Sequence, residues 1–295
     1  MATAVAELTP SQSPTPAGFR VAMLLPGALV TFVLILFALG LVVFLAFRMN
    51  DGSLLGAGFT VANFVTVATD PLYLTVTLRS LAIAGMVTLA TVVTAYPVAY
   101  YLAFHAGRWR GMLLFLVTLP FWTSYLLRVF AWKIVLAYNG VLNSALLESG
   151  LTSEPTLAFL NTPAAVVVTL AHAYAPFAIL PIYVALETIP KSLLEAAADL
   201  GARPFTSFRR VVLPNSMPGV LAAALVVFVP TVGDYVTPAL VGGPASTMIG
   251  TMIQAEFGKA NDWPFGAALS VAVMLVILAV VLVVRLANRR FGSRT

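Results

Sequence analysis

Cysteine is absent from the 295-residue sequence, which excludes disulfides, thiol catalysis and cysteine-based metal sites. Charge is scarce as well. Asp, Glu, Lys and Arg make up 9% of the chain, against about 25% in an ordinary soluble domain. No G-x-x-x-x-G-K-[ST] run occurs, so no P-loop cradles a nucleotide and the chain cannot hydrolyse ATP by itself. H-E-x-x-H, G-x-S-x-G and Cys/His metal clusters are missing too, and no metal site is expected. No pair of apolar segments repeats the Gly-interrupted pattern of a two-fold secondary transporter. The sequence therefore does not read as an enzyme.

Apolar surface is what the chain has in excess. Hydrophobic residues make up 60% of it and the mean hydropathy is +0.98. Soluble packing does not need this much, so the solvent is lipid. The pI near 9.7 does not point to nucleic acid, because the basic residues are few and scattered among apolar runs, as topology determinants are. Residues 1–20, rich in Ser, Thr and Pro, predict a mobile tail. The apolar run after them is too long for a signal-peptide core and reads as a retained span.

A bilayer core about 30 Å thick takes roughly 20 apolar helical residues. Six runs satisfy this: Val21–Phe47, Thr75–Ala103, Met112–Leu136, Pro163–Leu186, Met217–Ala239 and Phe265–Ala287. They are continuous rather than alternating, which favours an all-α bundle over a lipid-facing barrel. Lys and Arg gather on the tail, the 104–111 turn, the 187–216 loop and the C-terminus, so both termini are expected in the cytoplasm.

The longest loop on that face is "SLLEAAADLGARPFTSFRRVVLP", Ser192 to Pro214. Ser192 and Glu195 have capping-box spacing. Lys191, Glu195 and Asp199 fall on one helix face and Leu193, Leu194, Ala197 and Leu200 on another. Gly201 sits where a left-handed C-terminal cap is expected, and Pro204 can open a second short helix ending before Leu213-Pro214. The prediction is a helix–turn–helix elbow at the membrane surface. One reading makes it a solvated connector. The other makes it a docking site, because Ala196 to Ala198 leave a smooth surface and Phe205 and Phe208 would otherwise meet water.

Charged groups within spans are costly, and each invites both a functional and a packing reading. Asp234 lies in "VPTVGDYVTP" with Tyr235, where Pro230, Gly233 and Pro238 interrupt the span. It would contact a substrate ammonium or hold an outer gate, or else pair with Arg128 or Arg79 to fix helix packing. Trp122 and Tyr125 offer a stacking or cation–π surface, or serve as interfacial packing. His172, beside Tyr174, reads as a neutral, hydrogen-bonded packing residue or as a proton relay. Pro176 and Pro181 should kink their helix.

Glu195-Ala196-Ala197, Gly201, nine residues, Val211, one residue, then Leu213-Pro214 resembles the cytoplasmic loop of ABC importer permeases, with Val in place of Ile. "LPFWTSYLLRVFAW", "APFAILPIYVALETIPKSLLEAA" and "GDYVTPALVGGPASTMIG" extend the resemblance to the spermidine/putrescine branch over nearly the whole chain. The resemblance implies a type I-like permease: a single transmembrane domain over 21–295, with a coupling loop at 189–215 that fits a groove on an ATPase. It also implies a bacterial inner-membrane location and half of a pore for polyamine uptake. A second permease subunit, two ABC ATPases carrying ATP and Mg, and a periplasmic binding protein would complete the importer, and the chain itself would hold no cofactor. Two alternatives stay open. One is an importer of another small solute, such as an amino-acid derivative, opine, phosphonate or metal chelate; the other is an ATP-independent secondary transporter.

Overall fold

The computed structural model describes residues 17–52 and 57–292. The expected tail over residues 1–20 lies outside the described residues as far as position 16. Helix α1 (Ala17–Ala46) leads into a short antiparallel pair, β1 (Arg48–Met49) and β2 (Ala57–Phe59), then α2 (Ala62–Thr69) and α3 (Pro71–Phe104). Next come α4 (Arg110–Thr118), α5 (Tyr125–Leu136), α6 (Val141–Glu148) and α7 (Pro163–Glu187). After these follow α8 (Lys191–Asp199), α9 (Pro204–Ser207), α10 (Leu213–Val232), α11 (Ile249–Ala255) and α12 (Trp263–Gly292).

Among the described residues six helical stretches are long and apolar enough to cross a membrane: Leu29–Ala46, Pro71–Phe104, Tyr125–Glu148, Pro163–Glu187, Pro204–Val232 and Trp263–Leu286. The third differs from the predicted Met112–Leu136. Pro120 has no amide proton to continue the ladder, and the chain tightens into a 3₁₀ turn over Leu119–Trp122 before Thr123 becomes extended. The nine residues of α4 reach only about 14 Å and do not cross a bilayer core. The fifth span also differs at its end: α10 stops at Val232, not Ala239, because Gly233 and Asp234 leave the helix. The chain then returns through a wide helical turn over Pro238–Gly242. Helix α7 is continuous through Pro176 and Pro181.

Helices α3, α7 and α10 pack against one another and form the main core, with Ile83, Val87, Leu170, Ile182, Val212 and Val227 among its buried side chains. Helix α12 lies against α1 and α2 and closes smaller clusters around Ala267 and Leu269. Two buried hydroxyls of α3 bond back along their own helix, Ser80 to the Val76 carbonyl at 2.8 Å and Thr91 to the Val87 carbonyl at 2.6 Å. This satisfies them where lipid offers no partner.

Where α7 meets α10 the backbones nearly touch. A Cβ at Gly219 would meet the Ala185 side chain and the Pro181 carbonyl oxygen, the latter at 2.6 Å. Only glycine permits this crossing. Gly219→Val should therefore lower the melting temperature of the detergent-solubilised protein, by an over-packing cost of about 1–3 kcal/mol. An unchanged melting curve would show that the crossing relaxes freely.

Candidate functional site

The elbow is built from α8, a turn and a helix that does not stop. Helix α8 begins at Lys191 after Pro190, which holds an extended conformation and supplies no side-chain cap. The capping box expected of Ser192 and Glu195 is not formed, because the helix starts before Ser192 and takes it into its first turn. At the other end the expectation holds. Gly201 has φ +75°, its amide donates to Ala198 O at 2.8 Å and that of Ala202 to Ala197 O at 3.0 Å. These two bonds are the Schellman pattern. Nothing crowds a Cβ at Gly201, so the demand for glycine is conformational rather than steric.

Pro204 opens α9 at its first turn, as its fixed φ allows. The second helix was expected to end before Leu213-Pro214, but it continues. Residues Phe208–Val212 form a π-helical segment that joins α9 directly to α10. Pro214 explains it: it has no amide proton for the Arg210 carbonyl, and widening the preceding turn relieves the ring's clash there. Phe208 is not left in water either. It packs edge-on against Tyr96 and Tyr100 of α3, with centroids 5.8 and 5.9 Å apart.

Glu195, Ala196, Gly201 and Pro214 are exposed, while Ala197 and Leu213 are half-buried. Leu200 is 88% and Phe205 72% exposed. The elbow thus keeps an open face with two apolar side chains on it, while Leu194 and Phe208 fasten its other side to the core. Beneath it, Arg110 forms an ion pair with Glu187 and donates to the Ala103 carbonyl at 3.0 Å, tying α4 to the ends of α3 and α7.

At the far end of α10 the structure brings Asp234 and Tyr125 together. Asp234 is 8% exposed. Its Oδ2 accepts from the Tyr125 hydroxyl at 2.7 Å, and its Oδ1 accepts from the Val236 amide at 3.0 Å. The Tyr125 hydroxyl also meets Thr237 Oγ1 at 2.6 Å. The carboxylate therefore caps the returning turn and clasps it to α5. The ion pairs weighed from sequence are not made: Arg128 gives Nη1 to the Ala173 carbonyl at 3.0 Å, and Arg79 reaches towards the Pro244 carbonyl. The Arg128 Nε is enclosed without an acceptor among the described residues.

Trp122 and Tyr125 do not form one stacking surface, since Trp122 is 82% exposed on its 3₁₀ turn while Tyr125 turns inwards. Tyr235 is half exposed and lines a cavity of ≈ 450 Å³ with Gln254, Phe257 and Trp263. Beside that cavity, burial and then the neighbouring Asp262 push the Glu256 carboxyl above its usual range. His172 accepts from the Trp132 indole N–H at Nδ1, 3.1 Å away. This is the geometry of the neutral packing reading.

Two residues escaped the sequence reading. A Cβ at Gly250 would strike the Gly233 carbonyl, so α11 rests directly on the turn that carries Asp234. Ser80 Oγ accepts from the Ile249 amide at 2.7 Å and anchors the same helix to α3. Only the glycine at the end of "GDYVTPALVGGPASTMIG" carried a signal of this.

The molecule is thus a helical bundle with an elbow on one end and a broken, clasped segment on the other. Residues 95–295 match the family described as Binding-protein-dependent transport system inner membrane component, and the chain belongs to that family. It is 40% identical over 245 residues to the spermidine/putrescine transport system permease protein PotB of Escherichia coli (strain K12), covering 83% of this chain and 88% of that one. The PotB of Haemophilus influenzae is 38% identical over 255 residues, covering 86% and 88%. A crystal structure of a bacterial ABC transporter importing alginate shares the fold, with a TM-score of 0.73 at 19% identity over 92% of this chain and 96% of that one. The chain is thus an inner-membrane permease of an ABC importer that works in a complex with other subunits, and ATP hydrolysis belongs to a partner.

Removing one hydroxyl tests the clasp. Tyr125→Phe leaves the Asp234 carboxylate short of a donor in a buried position, a loss of about 1–3 kcal/mol. The melting temperature in detergent should fall, whereas Trp122→Phe on the exposed turn should leave it unchanged. Equal effects of the two substitutions would remove the clasp from the account.

Proposed function

We propose that the chain forms half of a translocation pore for polyamines of the putrescine and spermidine class. The observation that carries this reading is the 38–40% identity, over most of the chain, to permeases named for those cargoes. A second permease subunit completes the pore, two ABC ATPases holding ATP and Mg dock on the elbow, and a periplasmic binding protein delivers cargo. The family's description as binding-protein-dependent supports the last of these. Both termini and the elbow lie in the cytoplasm, as the distribution of Lys and Arg favours.

In this mechanism Glu195, Ala196, Ala197 and Gly201 meet the ATPase groove, with Leu200 and Phe205 as its apolar contacts. Leu213 and Pro214 join that contact to α10. Closure of the ATPases on ATP turns the elbow, and α10 carries the turn through the membrane to Asp234. Inward- and outward-open states then exchange population according to which one the bound partners favour. Asp234 and Tyr125 act as a gate clasp, with Arg128 on the same wall. Tyr235 and Trp122, whose rings are exposed, are the pathway residues left to face an ammonium group.

The full transporter, reconstituted in liposomes, should take up labelled putrescine or spermidine only with ATP and the binding protein. Glu195→Lys and Gly201→Asp should abolish uptake while membrane insertion stays normal. Uptake without an ATPase, or tight binding of another solute by the companion protein with none for polyamines, would defeat the proposal.

A further inference from the structure

Two cavities on the flank of the bundle join into one groove. The first, of ≈ 320 Å³, lies between α3, α10 and α12 and runs from Gly85 and Phe228 to Val284. The second, of ≈ 370 Å³, shares Leu221, Leu225, Val281 and Val284 with it and continues to Pro218 and Arg285. Thr88 and Arg285 are the polar residues on these walls, and the Thr88 hydroxyl is turned back onto the Ala84 carbonyl at 2.7 Å. A long, nearly wholly apolar trough therefore ends at one cation. Among the described residues no acidic side chain lies within ion-pairing distance of Arg285.

The dimensions suit a lipid tail. From Pro218 to Phe228 along α10 is about 15 Å at the ordinary helical rise, which is half of a hydrocarbon core about 30 Å thick. Trp263 and Arg285 stand about 33 Å apart along α12 by the same rise, so each falls near one interface. The groove thus runs from the headgroup level on the elbow's side to the middle of the bilayer. Gly85 helps to keep it open: a Cβ there would meet nothing within 4 Å.

We propose that the groove seats an acyl chain of an anionic phospholipid from the leaflet on the elbow's side, with its phosphate on Arg285. The apolar walls hold the tail by close packing, and the guanidinium selects the charge of the headgroup. The inference does not depend on which solute the transporter carries. Because α10 forms one wall and continues into the elbow, the lipid lies against the helix that the coupling loop would move.

The test is mass spectrometry of lipids retained by the purified transporter after exchange into equal amounts of phosphatidylglycerol and phosphatidylcholine. Phosphatidylglycerol should be enriched on the parent protein. Arg285→Gln should reduce that preference by about fivefold, the factor expected of one basic residue near an anionic surface, and Arg285→Lys should keep most of it. Gly85→Phe, which fills the groove from an open position, should release the bound lipid without lowering the melting temperature. Equal retention by parent, Arg285→Gln and Gly85→Phe proteins would overturn the proposal. So would a Gly85→Cys protein that forms a disulfide with a cysteine placed in a span of the companion permease, since a helix would then occupy the groove.

Discussion

An amide proton inside a bilayer has no water to turn to, and that constraint decides where this chain can stop being an α-helix. Three prolines and a glycine set its interruptions. Pro120 ends the ladder at the turn before α5, and Pro214 forces the π-helical widening at Phe208–Val212. Gly233 releases the chain at the end of α10, and Pro238 starts the wide turn that brings it back. Two of the freed amides are taken up by side chains nearby. The Asp234 carboxylate accepts from the returning turn, and Ser80 of α3 accepts the Ile249 amide. The segments with the strongest claim to function are those where the helix had to be repaired.

Packing carries the effect of these repairs from one end of the bundle to the other. Phe208 leans on Tyr96 and Tyr100, so the elbow is fastened to α3 on its inner side and open on its outer side. Gly219 lets α10 lie directly on the Pro181 carbonyl of α7. A movement at the elbow therefore acts on three helices that share one core, not on a loose connector.

The six spans and the elbow were legible because composition and glycine chemistry act locally. An uninterrupted apolar run has few alternatives in lipid, and Gly201 alone announces the positive φ that closes α8. Other expectations were changed, some by a neighbouring proline and some by partners distant in sequence. Ser192 had capping spacing, but Pro190 takes the N-cap position and the helix begins two residues earlier. Leu213-Pro214 looked like a stop, yet a π turn absorbs a missing amide that an α turn would not. Phe208 needed a cover that its own loop could not name, and α3 supplies it with two rings. Asp234 is the clearest case: its partners, Tyr125 and Thr237, lie on two different elements, and nothing in "VPTVGDYVTP" names the tyrosine.

The joined helix from Pro204 to Val232 has a consequence of scale. Its 29 residues make a rod about 43 Å long, so a tilt of about 5° at one end sweeps the other through about 4 Å. Asp234 sits two residues beyond the swept end, and its bond to Tyr125 is 2.7 Å long. A displacement of that size exceeds the whole length of the bond. In the proposed mechanism such a rod would serve as a mechanical amplifier, turning a small rotation at the elbow into a displacement that exceeds the bond at its far end.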